Sequence, residues 1–189
     1  MRLRPLLALL AAMWLSAPND AQATVMLHRS VDELASMADA VVVATAQRDA
    51  RGALASRSYW REGRIYTDVT LGVNAAVSGP LATGALVTVQ TPGGVVGELG
   101  QTVAGAPVFR AGETFVVFLQ RVPSGAWVVL DMAAGMLPVA VEPSRGMVVF
   151  PSRAEGITFI EPAGGRVVEV AAEGEALVPF IARVRRAVR

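Results

Sequence analysis

The stretch Arg64–Gly79, RIYTDVTLGVNAAVSG, has the longest regular alternation in the chain. Residues of one parity are apolar apart from a single threonine: Ile65, Thr67, Val69, Leu71, Val73, Ala75 and Val77. The other parity carries more polar residues: Tyr66, Asp68, Thr70, Gly72 and Asn74. Successive side chains of a strand point to opposite faces, so this pattern predicts one long strand with one face on a core. We therefore expect a fold built mainly from β-strands.

Shorter apolar segments on both sides of this strand predict further strands. Ala40–Ala46 is a Val-rich run typical of a buried strand. The remaining predicted strands are Leu86–Thr91, Thr114–Gln120 and Ala126–Leu130, followed by two hairpins, Leu137–Glu142 with Met147–Phe150 and Ile157–Glu161 with Arg166–Val170. Gly and Pro residues mark the turns between them. Residues 47–63 are predicted to be a mobile loop, and residues 92–113 a long Gly-rich loop.

Two helices are predicted, one towards each end of the chain. Ser30 and Glu33 have the spacing of a capping box, which predicts a short helix over about residues 31–38. A second helix over about residues 175–188 is predicted from an apolar stripe at helical spacing: Leu177, Ile181, Val184 and Val188. About eight short strands with regular turn signals and two flanking helices favour a small antiparallel barrel, with a β-sandwich as the alternative.

The first 23 residues have the pattern of a secretory signal peptide. Arg2 and Arg4 precede an apolar run from Leu6 to Ala17, and small residues at 21 and 23 fit a cleavage site before Thr24. The run is shorter than the roughly 20 apolar residues of a membrane span. We therefore expect a mature chain of residues 24–189, secreted or periplasmic, forming a single β-rich domain with no membrane span. Its core barrel is expected over about residues 36–135, with C-terminal hairpins and a helix over 136–189.

Composition narrows the possible functions. All 17 basic residues are arginine, which indicates GC-rich coding and a bacterial origin, and cleavage leaves 15 basic and 15 acidic residues. A neutral mature chain offers no long-range attraction for nucleic acid. Without lysine the chain can supply neither a Schiff base nor the lysine of a P-loop. Without cysteine it has no disulfide and no lipid anchor of the bacterial lipoprotein type.

Part of the chain resembles a known fold. The segments concerned are Ala38–Ala44 (ADAVVVA), Arg64–Leu71 (RIYTDVTL) running to Ser78–Pro80, and Ala111–Leu119 (AGETFVVFL) after the Gly-rich loop. Over about residues 36–120 they resemble a group of uncharacterised secreted bacterial proteins and the OB-like barrel of the netrin-module superfamily, the fold of the tissue inhibitors of metalloproteinases. The resemblance implies an OB-like barrel. It does not imply metalloproteinase inhibition, which in that family needs an N-terminal cysteine and disulfides, whereas Thr24 is the expected first residue here.

Catalytic and metal-binding patterns are missing from the sequence. His28 is the only histidine, and Ser30 two residues away does not make a triad with it. One histidine without cysteine is a poor basis for a zinc site, and the glycines at 94, 97 and 100 do not form a dinucleotide-binding motif. The acidic residues are scattered and form no calcium loop. We therefore expect no metal, no cofactor and no enzymatic activity.

Three groups of residues are candidates for ligand contact. Tyr59 and Trp60 lie among several arginines, an arrangement that can stack on a planar or sugar ligand. Tyr66 and Asp68 lie on the polar face of the long strand. Glu98, Gln101 and Arg110 are the polar residues of the Gly-rich loop, and loops on a rigid scaffold often carry recognition.

These observations favour an exported, non-enzymatic binding or interaction module whose partner is an unknown protein or an envelope polymer. One alternative is a protease inhibitor that presents the loop 92–113. The least favoured alternative is a hydrolase of unfamiliar type that uses scattered carboxylates.

Overall fold

The structure is a computed structural model and describes residues 24–152, 157–161, 164–170 and 173–188. The predicted signal peptide lies outside these residues. The helices are α1 (Val31–Met37) and α2 (Leu177–Ala187), with a short 3-10 helix at Met132–Gly135. The strands are β1 (Thr24–Leu27), β2 (Ala40–Ala46), β3 (Ser56–Arg61), β4 (Arg64–Ser78), β5 (Leu86–Pro92), β6 (Gly94–Val96), β7 (Leu99–Gln101), β8 (Thr114–Arg121), β9 (Trp127–Val129), β10 (Met136–Glu142), β11 (Gly146–Val149), β12 (Ile157–Ile160) and β13 (Glu175–Ala176).

Five strands close into a barrel in the order β8-β2-β4-β5-β9, with β9 returning to β8. If the barrel strands are numbered 1 to 5 in chain order, their order around the barrel is 1-2-3-5-4, and strand 4 pairs again with strand 1. This is an OB-like arrangement. The prediction of an OB-like barrel with a helix near each end is confirmed. The barrel is not wholly antiparallel, because β5 and β9 run parallel where they meet, through the pairs Val89–Trp127 and Gln90–Val128.

The long strand β4 contributes side chains to two cores, because its register with β2 changes along its length. Val69, Leu71 and Val73 point into the barrel, as the alternation predicts. The register with β2 then shifts by one residue between Val73 and Ala75, so that Ala75 and Val77 pack outside the barrel instead, and it shifts again before Ser78. Extra residues in one strand of a pair increase its local twist and bend it. The predicted apolar face is therefore divided between the two sides of the barrel wall.

The second core lies between the barrel and the two helices. Strands β2 and β8 are buried on both faces: Val42 and Val117 fill the barrel, while Val43 and Phe118 pack against the helices. The capping box of α1 is present, with Glu33 N donating to Ser30 Oγ at 3.2 Å. In α2 the buried residues are Leu177, Phe180 and Val184, with Ile181 partly buried. The predicted stripe wrongly included Val188 and missed Phe180, because the helix ends at residue 187 and leaves Val188 exposed.

Three further predictions need correction. Residues 47–63 contain a strand, β3, and the Gly-rich segment 92–113 contains the β6–β7 hairpin. In the predicted C-terminal hairpin, β12 forms, but Arg166–Val170 makes only a single bridge between Val167 and Ile160. The main partner of β12 is β1, in parallel register, from the pair Thr24–Ile157 to the pair Leu27–Ile160. Within the described residues, no helix is long and apolar enough to cross a membrane.

Candidate functional site

A tight hairpin places β3 beside the first half of β4. Its two-residue turn, Glu62–Gly63, has positive φ angles of 52° and 76°, the backbone that a hairpin of this length requires. Tyr59 is directly opposite Tyr66, and Arg57 is opposite Asp68. Because Val69 and Leu71 of β4 point into the barrel, the alternate residues Tyr66 and Asp68 point outward.

The neighbouring strand β5 contributes Gln90 to the same outer face. We call Tyr59, Arg61, Tyr66, Asp68 and Gln90 the outer-face cluster. Gln90 is only 7% exposed, so its amide needs hydrogen-bond partners within the protein. It finds them on β3: Arg61 Nη2 donates to Gln90 Oε1 at 3.1 Å, and Gln90 Nε2 donates to the Tyr59 hydroxyl.

The Tyr59 hydroxyl continues this chain of hydrogen bonds by donating to Asp68 Oδ1 at 3.2 Å. Burial, and then the charge of Asp68, raise the pKa of the Tyr59 hydroxyl. Tyr59 is therefore protonated, and able to donate, throughout the physiological pH range. The relay Arg61–Gln90–Tyr59–Asp68 links three strands and fixes four side chains relative to one another.

The aromatic rings add a second set of contacts to the cluster. The rings of Tyr59 and Tyr66 are stacked with their centroids 6.3 Å apart and their planes inclined by 29°. The guanidinium carbon of Arg61 lies 4.5 Å from the centroid of the Tyr66 ring, within the range of a cation–π interaction. The cluster thus presents two stacked aromatic rings and one guanidinium group, held in place by hydrogen bonds.

A cavity of about 200 Å³ adjoins the cluster at Tyr66 and Gln90. Its remaining lining is apolar: Pro92, Pro107, Val128, Val129 and Met132. At its edge Asp131 and Met132 both have φ of 56°, a left-handed conformation that costs energy in residues other than glycine. Arg29 Nε forms an ion pair with Asp131 Oδ2 at 3.2 Å.

A second cavity, of about 390 Å³, lies at the end of the barrel beneath the Gly-rich segment. The β6–β7 hairpin is tied down there, because the Gln101 Oε1 atom accepts from the backbone N–H of Ile65 at 2.8 Å and Gly93 N donates to Ile65 O at 2.8 Å. Val69 and Phe109 line the cavity from the barrel side and Val95 from the hairpin. The Gly-rich segment is therefore anchored to the barrel.

A third cavity, also of about 390 Å³, lies between the helices and the β10–β11 hairpin. Its floor is apolar and includes Leu34 and Phe180. The cation of Arg183 at its rim is already neutralised by Glu175, at 2.5 Å, and by Asp32, at 3.5 Å. Because its arginine is paired within the protein, we rank this cavity below the outer-face cluster as a candidate site.

The structure brings together only some of the residues that the sequence singled out. Tyr59, Tyr66 and Asp68 lie in the cluster, whereas Trp60 points to the other face of β3. Gln101 anchors the hairpin through its side chain.

The two remaining candidates in the Gly-rich segment do not join the cluster. Glu98 is exposed at the turn between β6 and β7. Arg110 is exposed and lies 3.9 Å from Glu113.

Gln90 and Arg61 complete the cluster. Arg61 is one of the arginines that surround Tyr59 and Trp60 in the sequence, whereas Gln90 was not singled out. A glutamine in an otherwise β-branched strand was the one available signal for Gln90.

The comparisons with known proteins give no relatives. The chain matches no protein-family model, and neither the curated proteins nor the solved structures include a match. Over the described residues, no group of three or more His, Asp or Glu side chains is placed to hold a metal ion. The assignment of the candidate site therefore depends on the geometry of the described residues alone.

Proposed function

We propose that this chain is an exported, non-enzymatic binding module that recognises a protein partner through the outer-face cluster. The observation that carries the proposal is the relay through the buried Gln90, which fixes Tyr59 and Arg61 before any partner arrives. Ordering side chains on association costs about 0.5–1.5 kcal/mol for each flexible residue, and a preorganised surface avoids much of that cost.

The chemistry of the cluster supports a protein partner. Tyr and Arg are enriched among the residues that dominate the energy of protein interfaces. Tyr66 and Gln90 also border a cavity of about 200 Å³ that is mostly apolar, which suits an anchoring side chain of a partner.

The position of the cluster supports the same proposal. Its residues lie on the outer face of β4 and β5, the second and third strands of the barrel, with β3 extending that face. In OB-folds the corresponding face and the adjoining loops carry ligand binding.

The test is quantitative capture by the immobilised mature chain, residues 24–189, from an extracytoplasmic extract of the source cells. We expect a partner that the parent chain retains and that a Tyr59→Ala/Arg61→Ala variant releases at least tenfold more readily. Thr88→Val is the matched control, because Thr88 is exposed on the same face of β5 and outside the relay. Equal retention by the parent chain and the double variant would reject the cluster as the binding site.

A second candidate function, protease inhibition, is favoured by one specific observation. The β6–β7 hairpin is anchored through Gln101 yet leaves Val95 65% exposed and Leu99 59% exposed. A protease inhibitor needs such a rigid, protruding segment with side chains free to enter a protease subsite. Titration of secreted proteases with the parent chain and with Leu99→Asp tests this, and stoichiometric inhibition lost in the variant is the required result. Glu98→Gln, next to Leu99 at the exposed turn, is the matched control.

A further inference from the structure

We propose that the free edge of β3 accepts an extended acidic segment of the partner as an added strand. This inference rests on the proposed function and names the chemistry of the partner. It concerns the backbone edge of β3, which adjoins the side chains of the outer-face cluster.

The hydrogen-bond pattern shows which backbone groups of β3 are available. Thr70 N donates to Ala55 O at 2.9 Å, so in the register of β3 with β4 the hydrogen-bonded pairs fall at residues 57, 59 and 61. The N–H and C=O groups of Ser56, Ser58 and Trp60 consequently point away from β4. Within the described part of the chain, these outward groups have no hydrogen-bond partner.

Among the described strands that have a single partner strand, β3 also has the longest unpaired edge. Of these strands, β1 and β12 have four residues each, β6 and β7 have three each and β13 has two, whereas β3 has six. A row of unpaired backbone groups of this length is a template for another strand. Strand addition at such an edge is an established way of binding extended peptides.

Charge selects which strand the edge accepts. Arg57 and Arg61 flank Tyr59 on the outer face, and Arg64 is opposite Arg61 at the hairpin end. No carboxylate in the described residues lies within 4.0 Å of these three guanidinium groups. Asp68 is opposite Arg57 in register but is held by Tyr59 instead. The outer face of the edge is therefore basic and lacks internal neutralisation.

The spacing of the arginines defines a sequence pattern in the partner. Side chains on one face of a strand recur every second residue, so a strand paired with β3 places two residues of spacing i and i+4 beside Arg57 and Arg61. Acidic residues at those positions, with an apolar residue between them beside Tyr59, match this face. On the opposite face Trp60, which is 48% exposed, offers an apolar contact to the intervening positions.

The same charges disfavour a second copy of this chain at the edge. An antiparallel pairing of two β3 strands centred on Tyr59 places Arg57 of one copy beside Arg61 of the other, twice. Like charges directly opposite one another destabilise a strand pair. The arginines therefore disfavour self-association by charge repulsion and favour the binding of an acidic strand.

The test uses synthetic peptides with the core Glu-Thr-Val-Thr-Glu and the mature chain, with affinity measured by fluorescence anisotropy. We expect at least tenfold weaker binding when both Glu residues are replaced by Lys, and the same loss when alternate peptide nitrogens are methylated on the pairing edge. Ser58→Pro removes an outward N–H without touching the pairs with β4 and is expected to weaken binding at least tenfold. Ser58→Ala is its control, because it loses only the hydroxyl contact with Thr67.

Several results would overturn the inference. These are the absence of binding by the Glu peptide at millimolar concentration, equal binding of the Glu and Lys peptides, and unchanged binding of the methylated peptide. A dimer of the parent chain that Ser58→Pro dissociates would assign the edge to a second copy and also overturn it.

Partner capture separates this failure from failure of the proposed function. If Ser58→Pro retains the partner while Tyr59→Ala/Arg61→Ala releases it, the outer-face cluster stands as the binding site and edge pairing is rejected. If both variants release the partner while Ser58→Ala retains it, both proposals are supported.

Discussion

Replacement of Gln90 by leucine tests whether one buried amide organises the outer-face cluster. The amide makes one hydrogen bond with the charged Arg61 and one with the neutral Tyr59. These contribute about 1.5–3 and about 0.5–1.5 kcal/mol respectively, and the added apolar surface of leucine offsets about 1 kcal/mol of the loss. We expect the free energy of unfolding to fall by about 1–3 kcal/mol, which lowers Tm by roughly 2–4 °C per kcal/mol in a chain of this size.

The assay is guanidinium unfolding followed by circular dichroism and tryptophan fluorescence. Thr88→Val, on the exposed part of the same face, is expected to change stability by less than about 0.5 kcal/mol. A double-mutant cycle of Gln90→Leu with Tyr59→Phe is expected to give a coupling energy of at least about 0.5 kcal/mol. If Gln90→Leu is no more destabilising than Thr88→Val, or if the two substitutions are additive, the relay does not organise the cluster and our reasoning is refuted.

Three further predictions follow from the backbone, the tyrosines and the first helix. Gly79→Ala is expected to cost about 2–4 kcal/mol in thermal unfolding, because φ is +83° and a Cβ would lie 2.3 Å from a backbone oxygen; Gly84→Ala, at φ +84° with open space, should cost clearly less. In Tyr66→Phe, Tyr59 is the only tyrosine, and its phenolate absorbance should appear above the usual pKa of about 10. Because the pKa of Tyr59 is raised on folding, its protonated hydroxyl stabilises the fold below pH of about 10, and this stabilisation is lost as the pH rises through the folded pKa. Titration of Tyr59 at the usual pKa in the folded variant would contradict this. Ser30→Ala should cost about 0.5–2 kcal/mol by removing the cap of α1, and unchanged chemical denaturation would contradict the capping role.

The barrel could be predicted from the sequence because the burial pattern of its main strands lies within single segments of the chain. The alternation in Arg64–Gly79 and the Val-rich run Ala40–Ala46 each show their burial within a single segment, and both strands begin where the patterns predict. The capping box of α1 is also local, since Ser30 and Glu33 are three residues apart. The second core was not readable, because it depends on which helix residues meet the outer face of β2 and β8.

Strand β3 was missed for a physical reason. SRSYWR has no clean alternation, and its stability comes from pairing with β4 across the Glu62–Gly63 turn. Glycine at the second turn position was a signal for a hairpin, but Asn or Asp at the first position is the stronger one, and Glu62 occupies it. Without β3, Tyr59 could be placed near other aromatics in sequence but not opposite Tyr66.

The outer-face cluster itself depends on lateral strand order. Gln90 meets Tyr59 only because β3 and β5 both lie close to the first half of β4, on opposite sides of it. Residues 31 positions apart in the chain are thereby joined by a hydrogen bond. No pattern within one strand encodes such a contact, so the sequence predicted the tyrosines and Asp68 as candidates and did not predict the relay.

The burial of β2 and β8 on both faces has a consequence for any attempt to shorten this protein. The five barrel strands end at residue 129, so a truncation near residue 135 keeps all five of them. Such a fragment loses α2 and the β10–β11 hairpin and bares the outer side chains of Val43, Val116 and Phe118 to water. The C-terminal third therefore covers the outer apolar face of β2 and β8. We expect the fragment to aggregate, because that face is exposed to water.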